Sequence, residues 1–462
     1  MLSRSLDAFS RRLCMSLAFA CACLGAEAQT PNTTPTASVS DCTLPSALDH
    51  RFTLPTRQFD IPSKVLRADS GSVPLTPPGA GFTFKIVVFG DSAIWGDGLT
   101  NKEKIVYKVG ETIANRTGKQ VHIDTFAHSG ARLSQCDNDA LLPLNSDDTT
   151  APGDLDSQLP DVWQQADFAA TANNDRDADL VLVDGCINEI HATDIALPFM
   201  FDRVTSAEIS KRVHSFCSDR MAATLDHVQN AFPHATVLLM GYWRVVSPDS
   251  RTWGVMMAGG ASAADQPSPT ASQRRQMKKL FRTADRLETA SQHPVLTATS
   301  AQPGPPKQQS ETVRWQHWYE NSTAFLDTSR ECMRWAVAKV NQQVKDSSTQ
   351  GDTSCSTVTS APVSSPRVYF VPGFDKSEYS YGARDKHVWS LPVRFIFWVR
   401  HPDDMYRDRA SLCKSHFRGK ENRMTRFKCG INPLAHPNVE GARFYHDAMI
   451  SVLERAWATP RP

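Results

Sequence analysis

From about residue 82 onward, short apolar runs alternate with longer segments of helical spacing. Phe84–Phe89 (FKIVVF), Val121–Phe126, Asp179–Asp184 (DLVLVD), Thr236–Gly241 (TVLLMG) and Val368–Val371 are the short runs, and the pattern predicts five strands. Runs that are apolar throughout, rather than at every second position, belong to strands covered on both faces, as in a parallel sheet. Between and after them the spacing predicts helices over Lys102–Asn115, Leu155–Ala170, Glu208–Phe232, Trp315–Val344 and Val439–Trp457. The alternation predicts an α/β domain spanning 82–460, a three-layer α/β/α sandwich around a mainly parallel five-stranded sheet.

Two stretches break the rhythm. Residues 29–81, which begin with a Thr-, Pro-, Ser- and Ala-rich tract, are expected to form a flexible leader and N-terminal extension. Residues 257–310 are rich in Ala, Ser, Thr, Pro and Gln and read as an insertion or partly disordered excursion. Their basic stretch, Arg274 to Arg286, fits a solvated helix face better than an anion-binding one.

The N-terminus changes the meaning of the composition. Arg4, Arg11 and Arg12 precede a short apolar run, Met15 to Gly25, and Ala26-Glu27-Ala28 supplies a small-x-small cleavage site. This is the layout of a secretory signal peptide, with cleavage expected between Ala28 and Gln29. Of 50 basic and 49 acidic residues, 47 of each remain without residues 1–28, and of 11 cysteines, eight remain. An even set in an exported chain reads as disulfides, with Cys413–Cys429 and Cys186–Cys217 as the expected pairs. A formally neutral chain gives no electrostatic case for a nucleic-acid partner. No other apolar stretch reaches the length of a membrane span.

Candidate chemistry sits where the predicted strands end, because open parallel sheets bind ligands at their carboxyl edge. The first strand exits into Gly90-Asp91-Ser92, the second into Ala127-His128-Ser129-Gly130, and the third into Gly185-Cys186-Ile187-Asn188-Glu189. A rim serine can act as nucleophile, a glycine N–H approaches a ligand closely, and an asparagine amide can donate to an oxyanion. Near the C-terminus, His436 precedes Pro437, which is expected to occupy the first position of the last helix. Such a histidine can take a proton from a serine near neutral pH. Each residue alone fits an ordinary turn; their joint order is the informative feature. The 14 histidines are scattered, and neither Cys-x-x-Cys, His-Glu-x-x-His nor a glycine-rich phosphate loop occurs, so no metal and no cofactor are expected.

With Gly90-Asp91-Ser92 at one end and His436-Pro437-Asn438-x-x-Gly441 at the other, the order resembles the SGNH (GDSL-type) esterase and lipase superfamily. The resemblance implies a flavodoxin-like sheet order and an exported serine esterase working through an acyl-serine intermediate. It implies Ser92 as nucleophile, His436 as general base, and Ser92, Gly130 and Asn188 as the oxyanion hole. The substrate would be a lipid, short-chain acyl or acetylated glycan ester. Two departures stand out: one extra residue separates Gly185 from Asn188, and Glu189 stands where the family has Asp. The position three before the histidine, where the family carries its triad acid, is Pro433. Either a Ser–His dyad operates, with a backbone carbonyl near Asn432 or Pro433 orienting the imidazole, or Asp403, Asp404 or Asp408 supplies a remote acid. The alternative is a non-catalytic secreted binding protein on the same fold, in which Ser92 and His436 never meet.

Overall fold

The computed structural model describes residues 57–63, 81–133, 160–172, 176–190, 204–250, 311–341, 367–383, 385–389, 405–416 and 432–458, with Leu75, Pro77, Ile195, Cys355, Asp403, Arg426, Cys429 and Gly430. The expected signal peptide, the 257–310 excursion with its basic stretch, and Asp404 lie outside the described residues.

The centre of the molecule is a six-stranded sheet: β1 Arg57–Ile61, β2 Thr83–Phe89, β3 Gln120–Thr125, β4 Leu180–Val183, β5 Thr236–Met240 and β6 Val368–Val371. Their spatial order is β1-β3-β2-β4-β5-β6. The five strands from β2 to β6 run parallel to their neighbours, while β1 pairs antiparallel with β3. β4 and β5 are buried at every residue, so both faces of the sheet's middle are covered, as their unbroken apolar sequence requires.

The sixth strand departs from the sequence reading, which places no element between residues 29 and 81. Arg57–Ile61 alternates polar and apolar positions, with Phe59 and Ile61 buried and Gln58 and Asp60 exposed. That is the pattern of a half-covered edge strand. Ile61 packs on Gly110, where a Cβ would crowd both Ile61 and Ile123.

Eight helices are described: α1 Ser92–Trp95, α2 Ile105–Thr117, α3 Val162–Ala172, α4 Ser206–Ser215, α5 Met221–Ala231, α6 Glu311–Val340, α7 Tyr406–His416 and α8 Val439–Ala458. α2 ends in Gly118, whose left-handed φ of 70° lets its N–H reach the Ala114 carbonyl. The single helix expected over Glu208–Phe232 is two, α4 and α5, joined by a π-helical turn at Phe216–Arg220. That turn carries Cys217, the disulfide partner of Cys186. Among the described residues no helix is long and apolar enough to cross a membrane.

If β1 belongs to the folded core, deleting the buried part of the Ile61 side chain must cost stability. Ile61→Ala should lower the unfolding free energy by about 2–4 kcal/mol in a denaturant titration. A change below about 0.5 kcal/mol would show that β1 contributes nothing to the domain.

Candidate active site

β2 and β4 are adjacent and parallel, with Phe89 level with Val183. Beyond these two residues the chain makes two turns side by side, at the point where the sheet's winding reverses. The first turn runs through Gly90 (φ 137°) into α1, and a Cβ at Gly90 would overlap the Asp184 carboxylate. Three buried side chains hold this turn by its backbone, and a fourth bonds one of those three. Asp184 accepts the Asp91 N–H on Oδ1 at 2.7 Å and the Ile94 N–H on Oδ2 at 2.9 Å. The Asp91 carboxylate caps α1 by accepting the Ala93 N–H at 2.8 Å. The Gln165 amide accepts the Gly90 N–H at 2.8 Å and donates to the Gly90 carbonyl at 3.2 Å. The Tyr242 hydroxyl donates to Asp91 Oδ2 at 2.8 Å and accepts the Ile187 N–H at 3.3 Å, joining the two turns.

Asp91 and Asp184 are fully buried, and burial raises both carboxyls above the ordinary range. The charge of Asp91 raises Asp184 further. Burial likewise raises the Tyr242 phenol, keeping it a neutral donor.

Ser92, the first residue of α1, meets His436: Ser92 Oγ and His436 Nε2 are 2.7 Å apart. The histidine stands on a loop fixed from several sides. Ala435 takes a left-handed φ of 68°, uncommon for a residue with a Cβ, and both its polar backbone groups are bonded. Its N–H donates to the Trp389 carbonyl at 3.0 Å, and its carbonyl accepts Trp243 Nε1–H at 2.9 Å. The Trp389 N–H donates to the His436 carbonyl at 2.8 Å. The Asn432 amide donates to Ser129 Oγ at 2.5 Å and Asp97 Oδ2 at 2.8 Å, tying this loop to the turns after β3 and α1. Pro437 does not open the last helix, as the sequence suggests. Asn438 is its cap, with Oδ1 accepting the Glu440 and Gly441 N–H groups at 3.0 and 3.1 Å.

Burial lowers the His436 pKa to about 4, against the opposing pull of the Leu434, Pro433 and Asn432 carbonyls. Its Nδ1 is buried and faces those carbonyls, but none meets it in good hydrogen-bond geometry. The imidazole is therefore neutral at pH 7, free to accept on Nε2.

No carboxylate among the described residues bonds to His436. Asp403 is buried and ion-paired with the equally buried Arg409, and its other oxygen accepts the Met405 N–H at 3.0 Å. Asp408 is exposed in the first turn of α7. Both are remote-acid candidates from sequence; Asp403 is engaged by Arg409, and Asp408 makes no bond to His436.

The second turn, after β4, carries Gly185, Cys186 (φ 95°), Ile187, Asn188 and Glu189, and is tethered to the π-helical turn by the Cys186–Cys217 disulfide. Asn188 Nδ2 donates to the Ala131 carbonyl at 2.8 Å, one residue past Gly130 (φ 81°). The amide nitrogen carries a second hydrogen, so one donor remains beyond the bond to Ala131. Glu189 is buried and accepts the Leu133 N–H. The extra residue and the Glu, both departures from the family pattern, thus lie in a turn that clamps the 131–133 loop.

Asp184, Gln165, Tyr242 and the Asn432 side chain were not singled out from sequence for the site. Only Asp184 carries a signal, as a carboxylate closing an apolar strand. Cys186–Cys217 and Cys413–Cys429 are at disulfide distance, as expected, and Cys332–Cys355 is a third such pair. Among the described residues one group has metal-ligand spacing, His214 with Cys332 and Cys355. Its two sulfurs pair with each other, which leaves an imidazole alone as donor.

No family model matches the sequence, and neither does any curated protein. Among solved structures, a lipase from a goat rumen metagenome is similar at 12% identity and a TM-score of 0.29, covering 82% of this chain and 99% of its own. An extracellular lipase from Streptomyces rimosus is 17% identical at a TM-score of 0.24, and a phospholipase A1 from Streptomyces albidoflavus 16% at 0.22. Each of these two covers 45% of this chain and 75% of its own. At such scores the likeness carries no argument about activity, and the site stands on its own geometry.

Asp184→Ala would strand two buried N–H donors, and each stranded donor costs about 1–3 kcal/mol. The variant should unfold with about 2–5 kcal/mol less free energy, and Asp184→Asn, which keeps one oxygen acceptor, with about half that loss. A loss below about 1 kcal/mol in D184A would show that this carboxylate does not hold the turn.

Proposed function

We propose that the protein is an exported serine ester hydrolase of the SGNH type, working through a Ser92–His436 dyad. The observation that carries this reading is the 2.7 Å contact between the Ser92 hydroxyl and the imidazole Nε2. A binding protein on the same fold has no need for that contact.

His436 Nε2 takes the hydroxyl proton as Ser92 Oγ attacks the ester carbonyl carbon. The negative charge on the carbonyl oxygen is met by the Ser92 N–H, the Gly130 N–H and the Asn188 amide. Collapse of the tetrahedral intermediate breaks the bond to the alcohol, which leaves with the proton held by His436. Water then attacks the acyl-serine, again giving its proton to Nε2, and the acid leaves as Ser92 is restored. The imidazolium formed in each half carries its Nδ1–H toward the Asn432, Pro433 and Leu434 carbonyls. These dipoles take the part that a carboxylate plays in a triad. The substrate is a carboxylic ester of the lipid, short-chain acyl or acetylated glycan kind. Export rests on the signal-peptide layout of residues 1–28 and on the three cysteine pairs, which suit an oxidising compartment.

Hydrolysis of p-nitrophenyl acetate and butyrate tests the reading. Ser92→Ala and His436→Ala should each lower kcat by about 10³–10⁶ with KM little changed. The wild-type enzyme should keep at least about a tenth of its activity at pH 5.5 and lose the remainder steeply as pH falls through about 4, where the imidazole takes a proton. Full activity in Ser92→Ala, or activity wholly abolished at the ordinary histidine value in the wild type, would overturn it.

A further inference from the structure

Glu189 is a buried carboxylate that the mechanism above does not use. It is 5% exposed, and it stands beside Asn188 in the turn after β4. Its Oε1 accepts the Leu133 N–H, while its Oε2 is buried with no hydrogen-bond partner. Asn188 holds the Ala131 carbonyl of the same loop at 2.8 Å. Two adjacent side chains therefore grip alternate residues of 131–133, the segment that continues directly from Gly130. A carboxylate is a stronger acceptor for a backbone N–H than any neutral group, and inside a core that difference is enlarged.

We propose that Glu189 is a positioning residue that holds the Gly130 loop against the Asn188 turn, fixing the distance between the two oxyanion donors. The inference rests on the Ser92–His436 reading and adds to it a group that acts through the loop rather than on the substrate. The side chain is long enough to reach Leu133 across the gap, whereas an aspartate in this turn falls one methylene short. That accounts for the Glu found here beside a turn that is one residue longer.

The grip depends on ionisation. Burial pushes the Glu189 pKa up to about 7, against the Leu133 N–H, its own N–H and the positive charge of Arg132; the negative charge of Asp91 adds to the rise. Above that pH the anion binds the N–H. Below it, the carboxyl accepts weakly, and its new O–H must find an acceptor where Oε2 has none. Burial lowers His436 to about 4 and pushes His128 down as well.

The test is the pH dependence of kcat for p-nitrophenyl butyrate in the wild type, Glu189→Gln and Glu189→Asp. The wild type should show a rise of about three- to tenfold between pH 6 and 8, the worth of one hydrogen bond. E189Q accepts without titrating and should lack that rise while keeping the loss near pH 4. E189D keeps the charge but loses the reach, and should lower kcat about tenfold at pH 8 with KM within about twofold. A second readout is stability. Folding raises this pKa, so the contribution of the neutral carboxyl is present at low pH and is lost as pH rises through about 7. The melting temperature of wild type relative to E189Q should therefore fall from pH 5 to pH 8. Identical pH profiles for wild type and E189Q, or wild-type kcat in E189D, would overturn the proposal. Were Ser92→Ala inactive in the same assay, the dyad reading would survive that result; were Ser92→Ala active, it would fall first.

Discussion

The site depends on a carboxylate that touches no substrate. Asp184 follows β4 directly, reaches the adjacent turn and accepts two N–H groups from the backbone around Ser92. A helix that starts inside a protein presents N–H donors that water cannot reach, and something must accept them. Here the neighbouring strand supplies the acceptor, so the position of Ser92 is set by the pairing of β2 with β4. Gly90 follows from the same contact, since any side chain there would occupy the space of the carboxylate. Gln165, reaching in from α3, and Tyr242, reaching in from the end of β5, complete the fixation. Side chains from three separate parts of the chain thus lock Gly90, Asp91 and Ile94.

The dry surroundings that make this network strong also set the chemistry. Burial keeps His436 neutral and lowers its affinity for a proton, which opposes the uptake that general-base catalysis needs. The carbonyls of 432–434 offset part of that cost by facing Nδ1, and the Ala435 backbone holds them there at the expense of a strained φ. A carboxylate in their place would raise the imidazole's basicity further. Buried Asp403 is instead neutralised by Arg409, whose own charge works against a proton on His436. The site is thus built from dipoles where a triad would use an anion.

Much of this was legible in the chain. Ser92, Gly130 and Asn188 follow apolar runs that read as strands, and the family resemblance brings in His436 from the loop before the last helix. β1 was missed because five alternating residues beside a Pro-rich tract are too few to stand out. The single helix read over 208–232 hid a π-helical turn, since one added residue barely disturbs the apolar spacing on either side. Pro437 was given a place that Asn438 holds, because both residue types mark helix starts. The supporting network was out of reach for a different reason. Asp184 and Gln165 bond to residues 75 to 93 positions away, and no local pattern records which distant amide a buried polar side chain serves.

The central claim is that Ser92 is made nucleophilic by His436. A fluorophosphonate probe, which reacts only with an activated serine, followed by peptide mass spectrometry, tests it most directly. The account predicts one adduct per chain on the Ser92 peptide of the wild type and almost none in His436→Ala. An adduct elsewhere, or equal labelling with and without the imidazole, would contradict it.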